Sequence, residues 1–392
     1  MIPFALAYER MLGAAPLLPA ERVPLAESAH RILAEDVSTD LDMPPFDKSA
    51  MDGYACRRAD LPHPLSVVAT IPAGCQPTIT IHAQQCARIM TGAPVPPGAD
   101  CVVMQEQTAP AGPELIRFTG QHTQNNICRR GEDLTCGDLV LRRGTRIGPA
   151  AIAVLASVGC TTPLVARAPR VFVAATGNEL VPADRHPGGA QIRDSNSSQL
   201  CAQLRALGAI PHHAGIIPDA PDILHATIQQ ARQEHDLLLF SGGVSTGDFD
   251  FVPAALTQCG FELLFESVAM QPGKPMIFGR AADGVCCCGL PGNPVSTYVV
   301  FELLLRPFLL QMMGHTYHPI IVTARLAEPF QRRKTDRQTT IPVRFLTPDT
   351  VTPVAYHGSA HIHALCAAEA LLTIPTGVAA IPQGAAVDVR LL

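Results

Sequence analysis

The sequence predicts a multidomain chain of the α/β plus β class, in which one α/β region stands between two stretches of short strands. A length of 392 residues is enough for about two to four domains. Apolar strands alternate with helical segments between residues 170 and 313, which is typical of a parallel sheet. On either side, short β-like runs are separated by Gly and Pro turns.

Composition excludes several classes of protein. The net charge is −5 and Trp is absent, so neither the basic excess nor the aromatic platforms of a nucleic-acid binder are present. The uncharged stretch 147–166 has too short an apolar centre to span a bilayer. Thirteen cysteines without a CxxC pair favour a reducing compartment. We therefore expect a cytoplasmic protein with no nucleic-acid or membrane partner.

The first half of the chain is predicted to be helical at its start and β-rich afterwards. Leu and Ile at turn spacing predict helices over 3–13 and 24–34, and the prolines at 44 and 45 exclude helix there. The predicted strands are 65–70, 101–104 and 115–118, followed by a small-residue helix over 148–158.

The α/β region has four predicted strands, at 171–175, 210–217, 236–240 and 285–290, the first of which is an apolar run. Leu200, Leu204 and Leu207 mark one face of a predicted helix, and Gly208 ends that helix as a C-cap. Further helices are predicted at 222–232, 251–258 and 295–305, the last ending or kinking near Pro307. Strands at 320–324, 341–346 and 387–391 predict a small C-terminal β-barrel.

Three of these strands run directly into loops rich in Gly, Ser, Asn or acidic residues, namely 176–180, 241–250 and 291–296. Because ligands of parallel sheets bind at the carboxyl ends of the strands, we expect these loops to converge on one crevice.

The loop that begins Ser241-Gly242-Gly243 and continues through Ser245 suits phosphate binding, since glycine allows the backbone N–H groups to approach an anion. A tight turn would explain the glycines equally well. Asp248 and Asp250 follow, and acids beside a phosphate require a cation such as Mg²⁺, unless Asp248 only caps the next helix.

The segment 291–296 opens a helix, with Asn293 as a good N-cap and Pro294 as a good first residue. The free N–H groups there, together with Ser296, also suit an oxyanion. Lys274 lies between two prolines, a rigid presentation that favours an anion contact. An alternative interpretation of Asp194 and Asp219 is that they cap helices. Glu179 has no comparably simple structural explanation.

Histidine pairs occur at 212–213 and 361–363, but acid or Cys partners at metal-ligand spacing are missing, so we expect structural or surface roles for them. The three adjacent cysteines 286–288 lie in an apolar run and are expected in a core.

Taken together, the motifs resemble one family, the molybdopterin molybdenumtransferases, also called MoeA or gephyrin E-domain-like proteins. The matching segments, in order, are PPFDKSAMDGYA (44–55), IMTGAPVPPGADCVVMQE (89–106), RRGEDL (129–134), TGNEL (176–180), SGGVSTGDFD (241–250), PGKP (272–275) and GLPGNPVS (289–296). Seven ordered motifs are far more specific than any single one.

The resemblance implies an elongated homodimer of four-subdomain chains. Subdomain I would comprise 20–45 and 137–168, β-rich subdomain II 46–136, α/β subdomain III 1–19 and 169–315, and β-barrel subdomain IV 316–392. Subdomain III would be a three-layer molybdopterin-binding domain similar to adenylyltransferases. The active cleft would lie between subdomains III and IV of one chain and the β subdomain of its partner.

The implied reaction belongs to molybdenum cofactor biosynthesis: molybdate is inserted into adenylylated molybdopterin, AMP is released, and Mg²⁺ is required. Molybdopterin adenylyltransferase and molybdoenzymes or their chaperones are the implied partners. The implied catalytic residues are Asp52, Thr91, Asp133, Glu179, Asp219, Asp250 and Lys274, with Asp250 and Glu179 also binding the metal. The implied cofactor-binding residues are Asp194, Ser241, Gly242, Gly243, Ser245, Pro291, Pro294, Ser296, Arg337 and Ser359.

The chain departs from the family pattern at three usually positive positions, which are occupied here by Ser267, Gln271 and Pro342. Candidates for replacing the missing charge are Lys48, Arg332, Arg333 and Lys334. Two alternatives to the enzyme therefore stay open: a catalytically weak paralogue that acts as a molybdopterin carrier or scaffold, and a nucleotidyl transferase.

Overall fold

The computed structural model describes residues 1–244, 250–355 and 358–392. The chain forms two compact units. The larger consists of Met1–Glu35, Arg143–Gly148 and Thr162–Leu392, and the smaller of Asp36–Arg142 and Pro149–Thr161.

A six-stranded sheet forms most of the smaller unit. Its strands, from one edge to the other, are Cys101–Met104, Gly53–Cys56, Gln85–Ile89, Leu65–Ile71, Leu115–Phe118 and Thr108–Gly112. Two short pairs (Val37–Ser38 with Leu139–Leu141, Lys48–Ser49 with Ile127–Cys128), the 3₁₀ turns Arg58–Asp60 and Gln105–Gln107 and the helix Pro149–Ser157 complete the unit. The three strands and the helix predicted for this part of the chain are confirmed.

The larger unit contains a second six-stranded sheet, in the order Ile210–Ile217, Arg170–Thr176, Leu237–Ser241, Cys286–Leu290, Pro275–Ala281 and Phe261–Ser267. The first four strands are parallel, as predicted. The last two are antiparallel to their neighbours, so the sheet is mixed. The sequence prediction missed these two strands because nothing local separates them from other short apolar runs.

Helices cover both faces of this sheet. They are Phe4–Ala14, Asn196–Ala206, Pro221–Glu234, Val252–Gln258, Pro294–Val300 and Arg306–Met312. Along the strand Leu237–Ser241, Leu239 packs in one core with Leu204, while Phe240 packs in another with Ile228. Successive side chains of a strand point to opposite faces, so this strand is buried on both sides and the domain has three layers. Cys286, Cys287 and Cys288 are buried, as expected.

The helix that begins at Pro294 does not end near Pro307. A π-helical turn, Phe301–Leu305, joins it to Arg306–Met312, and Pro307 takes a position in the first turn of that helix. The whole span Pro294–Met312 is long and apolar enough to cross a membrane, yet 83% of it is buried inside the unit, as in a core helix.

A closed five-stranded barrel forms the C-terminal part of the larger unit, as predicted. Its strands are Ile321–Leu326, Gln338–Thr347, Thr350–Pro353, Ala370–Ile374 and Ala386–Leu391. In the chain, the 3₁₀ helix Ile362–Ala367 follows the third of these strands and precedes the fourth. Leu326, Val343, Val351 and Val389 fill its core. The short strand Met270–Gln271 adds to the barrel beside Gln338–Thr347 and so connects the α/β sheet to it.

The helix predicted at 24–34 is wrong. Only the 3₁₀ turn Leu25–Glu27 forms, and Ile32 and Leu33 instead make β-bridges to Arg146 and Val165. Tertiary pairing overrides the helical spacing here. The remaining short strands are Ala20–Arg22, Leu164–Ala166, Leu180–Val181, Ile192–Arg193, Phe330–Gln331 and Ala380–Ile381.

Candidate active site

One cleft of about 790 Å³ opens at the carboxyl ends of three parallel strands of the larger unit. The loops that follow Arg170–Thr176, Leu237–Ser241 and Cys286–Leu290 line it, together with Ala360 and Ile362 from the barrel part. These are the loops predicted to converge, and they do so because parallel strands end at a common edge.

Four carboxylates line this cleft, and three of them, Glu179, Asp219 and Asp250, lie close enough to interact electrostatically. Burial raises the pKa of Asp219, and the charges of Glu179 and Asp250 raise it further, against a hydrogen bond of 3.2 Å from the Asn178 N–H to Asp219 Oδ2. Asp219 does not cap the next helix, whose N-cap is Ala220 and has no side-chain bond. The three acids therefore concentrate negative charge in one place, which favours a cation.

The loop after Leu237–Ser241 passes very close to the first strand. A Cβ on Gly242 (φ +96°) would lie 2.4 Å from the Thr176 carbonyl oxygen, and one on Gly243 (φ +63°) would lie 2.6 Å from Thr176 Oγ1. These glycines are required by packing alone, which supports the tight-turn interpretation, and both still line the cleft. Ser245 and Asp248 lie outside the described residues.

The lining also includes the start of the helix Pro294–Val300. Asn293 occupies the N-cap position, as predicted, but its side chain makes no capping hydrogen bond. The Thr297 hydroxyl instead donates to the Pro291 carbonyl oxygen over 2.6 Å and holds the turn. Pro291 and Pro294 line the cleft, and Ser296 is buried in the first helical turn.

Ser359 lies beside this helix start, since its carbonyl oxygen accepts a 3.0 Å hydrogen bond from the Val295 N–H. Lys274 is exposed and does not line the cleft, although its neighbour Pro275 does. The structure thus places Ser296, Ser359 and Lys274 next to residues that line the cleft, although none of the three lines it.

Asn196 is a cleft residue that the sequence prediction missed. Its side chain is 8% exposed, and its Nδ2 donates to Ser241 Oγ and to the Gly292 carbonyl oxygen, both over 2.8 Å. The Ser241 hydroxyl in turn donates to the Pro291 carbonyl oxygen over 3.4 Å. Asn196 therefore joins two of the converging loops. An Asn at a helix start was the available signal, and it is also typical of a simple cap.

Asp194 lines the same cleft but is engaged within the protein. Its Oδ1 accepts a 3.0 Å hydrogen bond from the Ser197 N–H, and its Oδ2 lies 3.8 Å from His213 Nε2. This arrangement supports the helix-capping interpretation of Asp194.

A second cavity of the larger unit, about 520 Å³, has a markedly basic lining; we call it the basic pocket. It is lined by Gln271, Phe330, Arg332, Arg333, Lys334, Arg337, Thr339, Ile341 and Gly358. Four of these residues are cationic, and none is acidic. The pocket therefore unites Arg337, a predicted ligand-binding residue, with Gln271, the position of a missing lysine.

The remaining predicted residues belong to the smaller unit. The Thr91 N–H and hydroxyl both donate to Asp52 Oδ1, and these bonds hold the pKa of Asp52 below its usual value. Asp133 is exposed, and its backbone N–H donates to the Met43 carbonyl oxygen over 3.0 Å. The structure brings Asp52 and Thr91 into contact.

Within the described ranges, no group of three or more His, Cys, Asp or Glu side chains is arranged to hold a metal ion. His212 pairs with His235, with 3.1 Å between Nδ1 and Nε2, and the two rings stack. That histidine has the structural role expected of it.

Comparisons with known proteins cover nearly the whole chain. Family profiles match at 2–159 (MoeA N-terminal region, domain I and II), 172–311 (probable molybdopterin binding domain) and 323–392 (MoeA C-terminal region, domain IV). A molybdopterin molybdenumtransferase of Bacillus subtilis is 36% identical, with 95% of this chain and 90% of the relative covered. One of Staphylococcus aureus is 35% identical, with 100% and 95% covered.

A solved structure of a molybdopterin biosynthesis MoeA protein from Pyrococcus horikoshii superimposes with a TM-score of 0.87 at 28% identity, over 100% of both chains. A second structure of such a protein from that organism gives 0.83 at 30% identity, covering 100% of this chain and 99% of the other. On these matches, the chain belongs to the molybdopterin molybdenumtransferase (MoeA) family.

Proposed function

We propose that this protein is a molybdopterin molybdenumtransferase of molybdenum cofactor biosynthesis, which inserts molybdate into adenylylated molybdopterin and releases AMP. The observation that carries the proposal is the 790 Å³ cleft, whose lining combines Glu179, Asp219 and Asp250 with the start of the helix at Pro294. A helix start suits an anionic group, and acids suit the cation that accompanies a pyrophosphate.

The cleft offers separate places for the parts of the substrate. The backbone N–H of Gly243, next to Ser241, Pro291 and Pro294 in the lining, is suited to the phosphates and the pterin. The N–H groups of Gly242 and Val295 already donate to the Leu290 and Ser359 carbonyl oxygens. Cleavage of the phosphoanhydride consumes one water molecule and leaves one phosphoryl group on AMP and one on molybdopterin.

Mg²⁺ is proposed as the cofactor, held by Asp250 and Glu179. The donor set fits, since Asp219, Glu179 and Asp250 lie close enough for their charges to raise the pKa of Asp219. Mg²⁺ typically uses one or two carboxylates and completes its shell with water and substrate phosphates, so a full cage of protein ligands is not needed. When bound, the ion would neutralise charge that builds up on the pyrophosphate.

Molybdate is proposed to bind through Lys274, Ser296, Arg337 and Ser359. What supports this is the proximity of Ser359 to the helix start and the position of Arg337 in the basic pocket. A dianion is best held by cations and charge-assisted hydrogen bonds.

A homodimer is also proposed, in which Asp52, Thr91 and Asp133 of one chain complete the cleft of its partner. The support is the ionised Asp52 carboxylate, which Thr91 holds in a fixed direction. All thirteen cysteines are free thiols in the described residues, which supports a reducing, cytoplasmic location. Molybdopterin adenylyltransferase and molybdoenzymes or their chaperones are the proposed partners.

The test combines purified protein, adenylylated molybdopterin and Mg²⁺ with a molybdate titration, while AMP is followed by chromatography. Saturable AMP release that requires molybdate is expected. AMP release that ignores molybdate, or tight pterin binding with no AMP release at any molybdate concentration, would contradict the proposed activity.

A further inference from the structure

Three cysteines form a row across the sheet of the smaller unit. In the paired register, Cys56 lies between Cys101 on one neighbouring strand and Cys86 on the other. All three are fully buried and belong to one hydrophobic cluster, together with Leu65 and Val103. Buried cysteines often serve only as small apolar side chains, so the contacts within the row decide whether these three do more.

Those contacts single out one pair. The sulfur atoms of Cys56 and Cys101 lie 3.7 Å apart, which is within the hydrogen-bonding distance of two thiols. Directly opposite residues of antiparallel strands have Cα atoms about 4.5–5.5 Å apart, inside the range that a disulfide spans. Cys86 has the same backbone relation to Cys56, but no hydrogen bond joins their sulfur atoms in the part of the chain that the structure describes.

The two thiols of the pair differ in reactivity. Their hydrogen bond lowers the pKa of Cys101, against the effect of burial and with a smaller contribution from the Arg58 guanidinium. The same hydrogen bond, together with burial, raises the pKa of Cys56. Because the thiolate is the reactive form of cysteine, Cys101 is the thiol that attacks an oxidant, and Cys56 is the one that then resolves the product.

Cys101 also lies at the edge of the sheet. Its strand, Cys101–Met104, has only one neighbour in the sheet, the strand Gly53–Cys56, which is itself paired on both sides. Elements with few neighbours open locally at a lower free energy than the whole domain. A molecule as small as hydrogen peroxide therefore reaches Cys101 without unfolding of the unit.

We propose that Cys56 and Cys101 are a redox-active pair, which hydrogen peroxide oxidises to a disulfide inside the sheet of the smaller unit. The Cys101 thiolate attacks one peroxide oxygen, the O–O bond breaks, and the departing hydroxide takes up the proton that Cys101 had released. Cys56 then attacks the sulfur of the sulfenic acid, the S–O bond breaks, and a second water leaves with the Cys56 proton. The two thiols lose two electrons, and one peroxide is reduced to two water molecules.

The disulfide links the strands that carry the contact between Asp52 and Thr91. Gly53–Cys56 begins directly after Asp52, and its other neighbour, Gln85–Ile89, ends shortly before Thr91. A covalent bond between Cys56 and Cys101 closes a loop of chain and restricts the unfolded state of the unit. The modification therefore stabilises this part of the protein when peroxide is present, and a thiol reductant reverses it.

The test locates the disulfide in the full chain after peroxide treatment, and it does not use the transferase reaction. The three exposed thiols are first replaced, so that they form no bonds between chains, by Cys75→Ser, Cys136→Ser and Cys366→Ser. Remaining free thiols are alkylated in denaturant, and the chain is digested with trypsin without reductant. Cys56, Cys86 and Cys101 then lie on three separate peptides, 49–57, 59–88 and 89–117.

Mass spectrometry should find peptide 49–57 joined to 89–117 after peroxide, and both peptides alkylated before peroxide and again after dithiothreitol. Cys86→Ala is the matched control and should keep this link, whereas Cys101→Ala should lose it and leave Cys56 open to alkylation. Both thiols free after peroxide, a sulfinic acid at Cys101 beside a free Cys56, or a link from 49–57 to 59–88 would overturn the pair.

Urea unfolding followed by circular dichroism measures the consequence. The oxidised chain should unfold at a higher urea concentration than the reduced chain, and this difference should vanish in Cys101→Ala. Equal midpoints for the oxidised and reduced chains would overturn the stabilising role of the disulfide.

Discussion

Thr91 fixes the carboxylate of Asp52 with two hydrogen bonds to a single oxygen: its backbone N–H and its hydroxyl both donate to Oδ1, each over 2.7 Å. The hydroxyl bond is the main cause of the lowered Asp52 pKa, and the N–H bond is the second. The two residues come from separate motifs, yet they act as one unit. Thr91 therefore orients the Asp52 carboxylate and favours its ionised form.

Thr91→Val removes the hydroxyl but keeps the shape of the side chain. We expect the pKa of Asp52 to rise toward the usual value of about 3.9, and AMP release to fall several-fold. Because the pKa of Asp52 is lower in the folded protein than in the unfolded chain, its ionisation stabilises the folded state at any pH above the unfolded pKa. This stabilisation disappears as the pH falls through the pKa of the folded state. The variant should therefore lose stability near neutral pH and match the wild type in acid.

Carbon-13 NMR titration of the Asp52 carboxyl group measures this shift directly. Thr91→Ser is the control, since it retains the hydroxyl and should retain the low pKa. An Asp52 titration curve that is identical in Thr91→Val and wild type would show that the hydroxyl bond does not act on the carboxylate.

Asp219→Asn should stabilise the protein while it impairs the reaction. Burial and the neighbouring acids raise the pKa of Asp219, so the folded state binds this proton more tightly than the unfolded chain does. Ionised Asp219 therefore costs stability above its folded pKa, and this cost vanishes below the unfolded pKa of about 3.9. We expect a higher Tm than wild type at pH 7, a difference that shrinks in acid, and reduced AMP release. A lower Tm at pH 7 would contradict the explanation.

Asp250→Ala should abolish AMP release and leave the fold intact, because Asp250 lines the cleft beside Glu179 and Asp219 and is proposed to hold Mg²⁺. Removing one of two carboxylate ligands should also weaken Mg²⁺ binding, which a Mg²⁺ titration of the remaining activity of Asp250→Asn can detect. Circular dichroism checks the fold. Unchanged turnover in Asp250→Ala would remove this residue from the site.

The sequence predicted the cleft well, and the physical reason lies in the strands. The segments 171–175 and 237–240 are continuously apolar because they are buried on both faces, which is typical of central parallel strands. Once they are placed, the loops that follow them must share an edge. Local pattern and global fold agree in this region, so the prediction needed no tertiary information.

The prediction failed where the partner of a segment is distant in the chain. The extended stretch at Ile32 is defined by pairing with the remote residue Arg146. Asn196 resembles a simple cap in sequence, and only the fold brings it to Ser241 and Gly292. Sequence also could not place Arg333 and Lys334 near Gln271, because that proximity depends on the barrel.

Asn196→Ala should loosen the cleft. It removes two buried hydrogen bonds that join the loops at Ser241 and Gly292, which typically costs about 1–3 kcal/mol of stability. Chemical denaturation should report this loss, and the affinity for molybdopterin should fall as well. The matched control is Asn293→Ala, which also lines the cleft but whose side chain makes no capping bond. Equal losses of stability and of molybdopterin affinity in the two variants would show that the hydrogen bonds of Asn196 are not the cause.

Gln271→Lys should strengthen molybdate binding. Gln271 is exposed on the wall of the basic pocket and is paired in register with Thr339, so a lysine there adds a fifth cation to a cavity without acids. A single added charge-assisted contact corresponds to a gain of up to about tenfold in affinity. In the Arg333→Ala/Lys334→Ala background the relative gain should be larger, because fewer cations then share the anion. No gain in either background would mean that position 271 does not face the bound oxyanion, and that the charge lost there is supplied from elsewhere.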